Sequence, residues 1–122
     1  MNILITIGHL QLTAELNQTP TAKKIGTALP FQTTFDTWGD EIYFGIPVEA
    51  ELEETAMEEV QMGDLGYWPP GKAFCIFFGP TPMSTDGRIV PASAVNIVGK
   101  VLGEAETFKE VMHESQVIVT AE

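Results

Sequence analysis

The chain has 122 residues with 44% hydrophobic side chains, the size of one domain able to build a core without disulfides or a structural metal. Its formal net charge of −11 opposes binding to DNA, RNA or anionic membranes, because phosphate recognition depends on Lys and Arg displacing counterions. The single cysteine, Cys75, excludes an internal disulfide and, with no apolar stretch of membrane-spanning length, points to the cytoplasm.

The first seven residues carry no basic region, long apolar run or cleavage site of a signal peptide, and read instead as a strand. Ile3, Ile5 and Ile7 share one face. Leu10, Leu12, Ala14 and Leu16 share one face of the next strand, with Gln11, Thr13, Glu15 and Asn17 opposite. Gly8-His9 between them suits a two-residue type II′ turn, which makes His9 a turn-tip residue. Thr19-Pro20 is an N-cap followed by proline at the first helical position. The spacing of Ala22, Ile25 and Leu29 predicts a helix to about Ala28, placed over one end of a barrel.

Phe31, Thr33 and Phe35 alternate with Gln32, Thr34 and Asp36, a second β region. Trp38-Gly39-Asp40 marks a turn and Glu41-Ile42-Tyr43-Phe44 resumes a strand. Pro47 demotes the next stretch to an edge or bulge, and Val48, Ala50 and Leu52 alternate with Glu49, Glu51 and Glu53 as in a half-buried strand. Residues 54–59 fit either a short helix or a wide connection. Breakers at 63–66 and 69–71 flank Tyr67-Trp68, which can either line a site or cap the core. The run 72–79 is the most hydrophobic of the chain and lacks polar alternation, so both its faces are predicted to be buried. A loop at 79–84, a turn at Asp86-Gly87, a strand over 95–102, a short helix over 104–112 with Ala105, Phe108 and Met112 on one face, and a last strand over 117–120 complete the chain. The expectation is a mainly β single domain, 1–122, of about eight short strands closed into a barrel that leaves no free edge, with one or two short helices.

Three phrases together resemble one family: Trp38-Gly39-Asp40-Glu41-Ile42-Tyr43-Phe44, Gly63-Asp64-Leu65-Gly66-Tyr67-Trp68, and Phe77-Phe78-Gly79-Pro80-Thr81-Pro82-Met83-Ser84. They resemble the small prokaryotic cyclophilin-like domain proteins, and the likeness spans nearly the whole chain. It implies a reduced form of the eight-stranded cyclophilin barrel, with no settled biochemical role. The C-terminal part is also similar to true cyclophilins: Val98-Gly99-Lys100-Val101 stands where those have an aromatic-Gly-x-Val phrase, with Gly103 one residue nearer than in them. The isomerase chemistry of true cyclophilins needs an arginine on a strand beside an apolar proline pocket. The comparable strand here carries Glu41 and no arginine; the only arginine, Arg88, lies beyond a loop.

On their strand Glu41 and Tyr43 point away from Ile42 and Phe44. If the latter pair fills the barrel, then Trp38, Glu41 and Tyr43 set an aromatic wall, a carboxylate and a phenol on the outside. That trio suits a ligand with an apolar body and a cationic or donor group; the alternative is a solvated strand face. Phe78 adds an apolar wall at the end of the central strand, where the resemblance places pocket phenylalanines. Thr81, Met83 and Ser84 offer hydroxyls and an adaptable contact on a proline-stiffened loop, which is otherwise a structural crossover. No cofactor is called for. His9 and His113 lack second ligands at zinc spacing, and the acidic stretch 49–59 lacks the pattern of a calcium loop. Cys75 reads as a buried, inert thiol.

The sequence therefore leads to a barrel that binds a small molecule or a proline-containing peptide on its outer wall. A weak peptidyl-prolyl isomerase and a homo-oligomeric interaction protein, pairing through an edge near 48–52, are the alternatives.

Overall fold

The computed structural model describes all residues, 1–122. The hairpin comes first: β1 (Asn2–Ile7) pairs antiparallel with β2 (Leu10–Leu16), Ile7 opposite Leu10 across the Gly8-His9 turn. Helix α1 (Pro20–Ala28) starts as the sequence predicts, with the Thr19 hydroxyl accepting from the Ala22 N–H at 3.3 Å. Its Ala22 and Ile25 join the barrel core, and it packs against β2 and against β8 (Asn96–Val101).

The remaining strands are β3 (Phe31–Thr34), β4 (Asp36–Thr37), β5 (Glu41–Gly45), β6 (Asp64–Trp68), β7 (Ala73–Phe77) and β9 (Gln116–Ala121). Their order in one antiparallel sheet is β3-β9-β1-β2-β8-β6-β7-β5-β4. The two ends of that order are halves of one extended stretch, 31–37. Its first half pairs with β9 and its second with β5, and at the joint the Phe35 N–H donates to the Ser115 carbonyl at 3.1 Å. The sheet thus wraps into a barrel that is closed at this bent stretch. Nine strands stand where the sequence suggests about eight: the bend at Phe35 divides one strand in two, 48–52 is not a strand, and Asp64–Trp68, read as partly breaker, is one.

Alternation decides what fills the barrel. Ile3, Ile5, Ile7, Ile42, Phe44, Leu65, Tyr67, Phe74, Ile76, Phe78, Val98, Val117 and Val119 all belong to one core cluster of 25 buried residues. Each such side chain contributes about 1.5–3 kcal/mol by leaving water. The other face of β7 carries a second, smaller cluster: Ala73, Cys75 and Phe77 with Val60, Ile89 and Val95, and with Tyr43, Trp68 and Ile97 at its margin. Strand β7 is therefore buried on both faces, as its unbroken apolar run predicts.

The stretch between β5 and β6 sends Ile46 and Val48 into the main core and Val60 into the second cluster. Alternation predicts a strand over 48–52, but the stretch 46–62 crosses the barrel wall as an extended strap. Its backbone pairs only at isolated points outside the strands: Ile46 N–H to the Lys72 carbonyl at 2.9 Å, and single bridges Met57↔Val95 and Val60↔Ile89. Elsewhere side chains satisfy it. The Tyr67 hydroxyl donates to the Val48 carbonyl at 2.5 Å, and Asn96 accepts from the Glu53 N–H at 2.8 Å while donating to the Glu51 carbonyl at 2.9 Å. Leu52 is 53% exposed rather than half-buried. Residues 54–59 form no helix, and 48–52 form no strand. The stretch after β8 also differs from the expected helix: Ala105–Val111 is a 3₁₀ helix, and its buried residues Ala105, Phe108 and Val111 recur every three residues, as 3.0 per turn requires. No helix is long and apolar enough to cross a membrane.

Candidate functional site

The register of β5 on β7 places Glu41 opposite Phe77 and Tyr43 opposite Cys75. Both side chains therefore rise from the outer face of the wall, beside the second cluster. Glu41 is buried there and Tyr43 half-buried. A cavity of about 200 Å³ lies there, bounded by Trp38, Glu41 and Tyr43 on one side and by Trp68, Pro91, Ala92 and Val95 on the other.

Each wall is fixed by a local device. The turn 38–40 is tied back by the Trp38 N–H to the Glu41 carbonyl at 2.9 Å, and the Asp40 N–H donates to the Pro80 carbonyl at 2.9 Å. Gly39 sits at φ +60°, and a β-carbon there would lie 2.8 Å from the Pro80 oxygen, so turn and loop touch backbone to backbone. Across the cavity the Trp68 indole N–H donates to the Ser93 hydroxyl at 2.7 Å, which anchors the Pro91–Ala92 wall to β6. Alternation on β6 splits the aromatic pair: Tyr67 is fully buried in the barrel core, whereas Trp68 faces the cavity.

Glu41 is only 6% exposed, yet no ion pair or side-chain hydrogen bond from a nitrogen or hydroxyl reaches its carboxyl group. Three of the chain's six cations pair with other acids: Lys72 with Glu49 at 2.6 Å, Arg88 with Glu59 at 3.9 Å, Lys109 with Asp40 at 3.7 Å. Burial lifts the Glu41 pKa to about 7, with the neighbouring Cys75 thiol opposing the rise. Burial, and then the carboxylate beside it, push the Cys75 thiol well above its ordinary value. Cys75 is thus a buried un-ionised thiol under the floor of the cavity.

The other residues singled out from the sequence lie apart. Phe78 follows the parity of Phe74 and Ile76, so it points into the barrel, fully buried, with its ring 5.8 Å from that of Phe108. Thr81 and Ser84 spend their hydroxyls inside their own loop. The Thr81 hydroxyl donates to the Val90 carbonyl, and the Ser84 hydroxyl accepts from the N–H groups of Thr81 at 2.9 Å and Val90 at 3.1 Å. Met83 is 54% exposed and does not border the cavity. The segment 91–95 is the part of the site that sequence reasoning missed. Its residues have no periodicity and no reactive group; the only signal is its position just before a strand, across from Trp68.

The class defined by these features is an antiparallel nine-stranded barrel with a pocket on its outer wall. The cyclophilin-like family profile matches residues 1–120, and the chain belongs to that family. It is similar to the hypothetical protein AF2241 from Archaeoglobus fulgidus, known from its solution structure, at 42% identity and a TM-score of 0.84, covering 100% of this chain and 95% of that one. It is also similar in fold to McbB, solved in complex with tryptophan, at 15% identity and a TM-score of 0.72, covering 98% of this chain and 44% of that one. Comparison with curated proteins yields no match.

Proposed function

We propose that the protein is a small-ligand binder whose site is the outer cavity between Trp38, Glu41, Tyr43 and Trp68. The observation that carries this reading is the Glu41 carboxyl: 6% exposed, with only the Cys75 thiol beside it and no cation from the chain, at the wall of a pocket otherwise lined by aromatic and apolar groups. Burying an acid without a counter-charge is costly, and a concave apolar pocket with one convergent polar group is the common form of a ligand site. The occupant has a flat apolar body and one group that engages a carboxyl.

The family match makes peptidyl-prolyl isomerisation the competing reading. Glu41 opposes it: a carboxyl in the place of an arginine supplies no donor to the twisted amide nitrogen, and Arg88 is exposed and faces Glu59. A protease-coupled proline-peptide assay separates the two; a rate no faster than the uncatalysed exchange, tens of seconds, supports the binding reading.

A thermal-shift panel of amines, small metabolites and proline-containing peptides tests the proposal. Tryptophan joins the panel because McbB, which shares only the fold at 15% identity, was solved with it. Stabilisation by at least one class, lost in Glu41→Ala, is expected; a melting temperature unmoved by every class, with Glu41→Ala indistinguishable from the parent, overturns it.

A further inference from the structure

Resting on the cavity reading above, we infer that the ligand is an organic cation, an ammonium or protonated nitrogen seated on the Glu41 carboxylate among the rings of Trp38, Tyr43 and Trp68. Three observations converge. First, the carboxyl is enclosed by its own chain and left without a cation, while Lys72, Lys109 and Arg88 all face other acids. A buried carboxyl is stabilised either by a proton or by a counter-charge, and the cavity it borders is where such a charge can be seated. Second, three of the seven lining residues, Trp38, Tyr43 and Trp68, are aromatic, and the faces of such rings attract cations. Third, two of the donors on the walls are already engaged. The Trp68 N–H is taken by Ser93, the Val95 N–H by the Met57 carbonyl at 3.0 Å, and Pro91 has none. The net charge of −11 draws cations toward the surface from outside.

Charge recognition by this group is coupled to protons. The titratable groups that face Glu41 are the Cys75 thiol of β7 and the Tyr43 phenol of its own strand; β6 presents Trp68, and the 91–95 wall presents no ionisable side chain. Asp40 lies on the turn, beside Lys109. With burial holding the carboxyl near 7, a cation binds the ionised form and releases a proton from the fraction that is protonated. Binding weakens as pH falls, by about tenfold from pH 8 to pH 6 for a single group titrating near 7.

Calorimetric titration with matched probes tests this: benzylamine against benzyl alcohol, and tryptamine against tryptophol, at pH 8 and pH 6. Both amines stay protonated over that range. The expected result is that the amines bind at least about tenfold more tightly than the alcohols at pH 8, lose about tenfold at pH 6, and lose their advantage in Glu41→Gln. If the alcohols bind as tightly as the amines and Glu41→Gln changes neither, the charge assignment is overturned while the cavity remains a ligand site. If neither series binds at millimolar concentration, the cavity reading and the charge assignment fall together.

Discussion

The β-carbon of Asp40 leaves no room for one at Gly79: a β-carbon built there lies 2.8 Å from it. This contact, with the Phe78 N–H donating to the Asp40 carbonyl at 3.0 Å, locks the turn that carries Trp38 onto the loop leaving β7. Gly79→Ala is therefore expected to destabilise the protein by about 1–3 kcal/mol and to shift Trp38 fluorescence. An unchanged urea midpoint and emission spectrum would show that the turn is not held by this contact.

Glu41 makes stability depend on pH in an unusual direction for an acid. Its folded pKa, about 7, lies above the ordinary carboxyl value of 4.5. Between those values the folded state holds more protons than the unfolded one, so stability from this group is full below the lower value and is lost as pH rises through 7. After allowance for solvent at the cavity mouth, the loss is about 2 kcal/mol. Glu41→Gln is expected to raise the urea midpoint at pH 8 relative to the parent and to leave it little changed at pH 4. Equal effects at both pH values contradict the burial of an unpartnered carboxyl.

The strap 46–62 stays on the barrel through side chains rather than a ladder, and Asn96 is the hub. It donates to the Thr21 hydroxyl at 3.0 Å and to the Glu51 carbonyl, and accepts from the Glu53 N–H. The Glu53 carboxylate in turn accepts from the N–H of Thr21 at 2.9 Å. Asn96→Ala strands several of these partners and is expected to cost about 3 kcal/mol. Hydrogen exchange should show faster exchange of the Glu53 amide; protection equal to the parent's would remove Asn96 as the anchor.

Much of this architecture is legible in the sequence, and the failures share a cause. Strict alternation marks β1, β2 and the inner face of β5, and the unbroken run 72–79 marks a strand buried on both sides. The cap at Thr19-Pro20 marks α1. The strap eludes such a reading because Val48, Ala50 and Leu52 alternate as a strand does, while their backbone partners come from Tyr67 and Asn96, distant in sequence. Phe78 reads as a site residue by its place at the strand end, although its parity with Phe74 and Ile76 turns it inward. Alternation groups Trp38, Glu41 and Tyr43 on one outer wall, where the cavity lies. The opposite wall, 91–95, is brought there by the return of the chain into β8, which no local pattern encodes.

The Trp68–Ser93 hydrogen bond is exposed, so its removal is expected to cost under about 1 kcal/mol of stability. Its larger effect is on the cavity, because it holds one wall in place. Ser93→Ala should keep the parent's melting temperature within a few degrees while weakening binding of any cavity ligand several-fold. Undiminished affinity would show that the wall is held without it.

Both tryptophans of the chain border this one cavity. Their two indole N–H signals in a ¹H–¹⁵N correlation spectrum therefore report its occupancy directly. On titration with tryptamine at pH 8, both indole signals and the amides of Glu41, Ala92 and Val95 are predicted to move together along one saturating curve. Saturable shifts confined to another face, such as Lys23, Thr27 and Glu49, or no saturable shift at either indole, would contradict the assignment of the binding site.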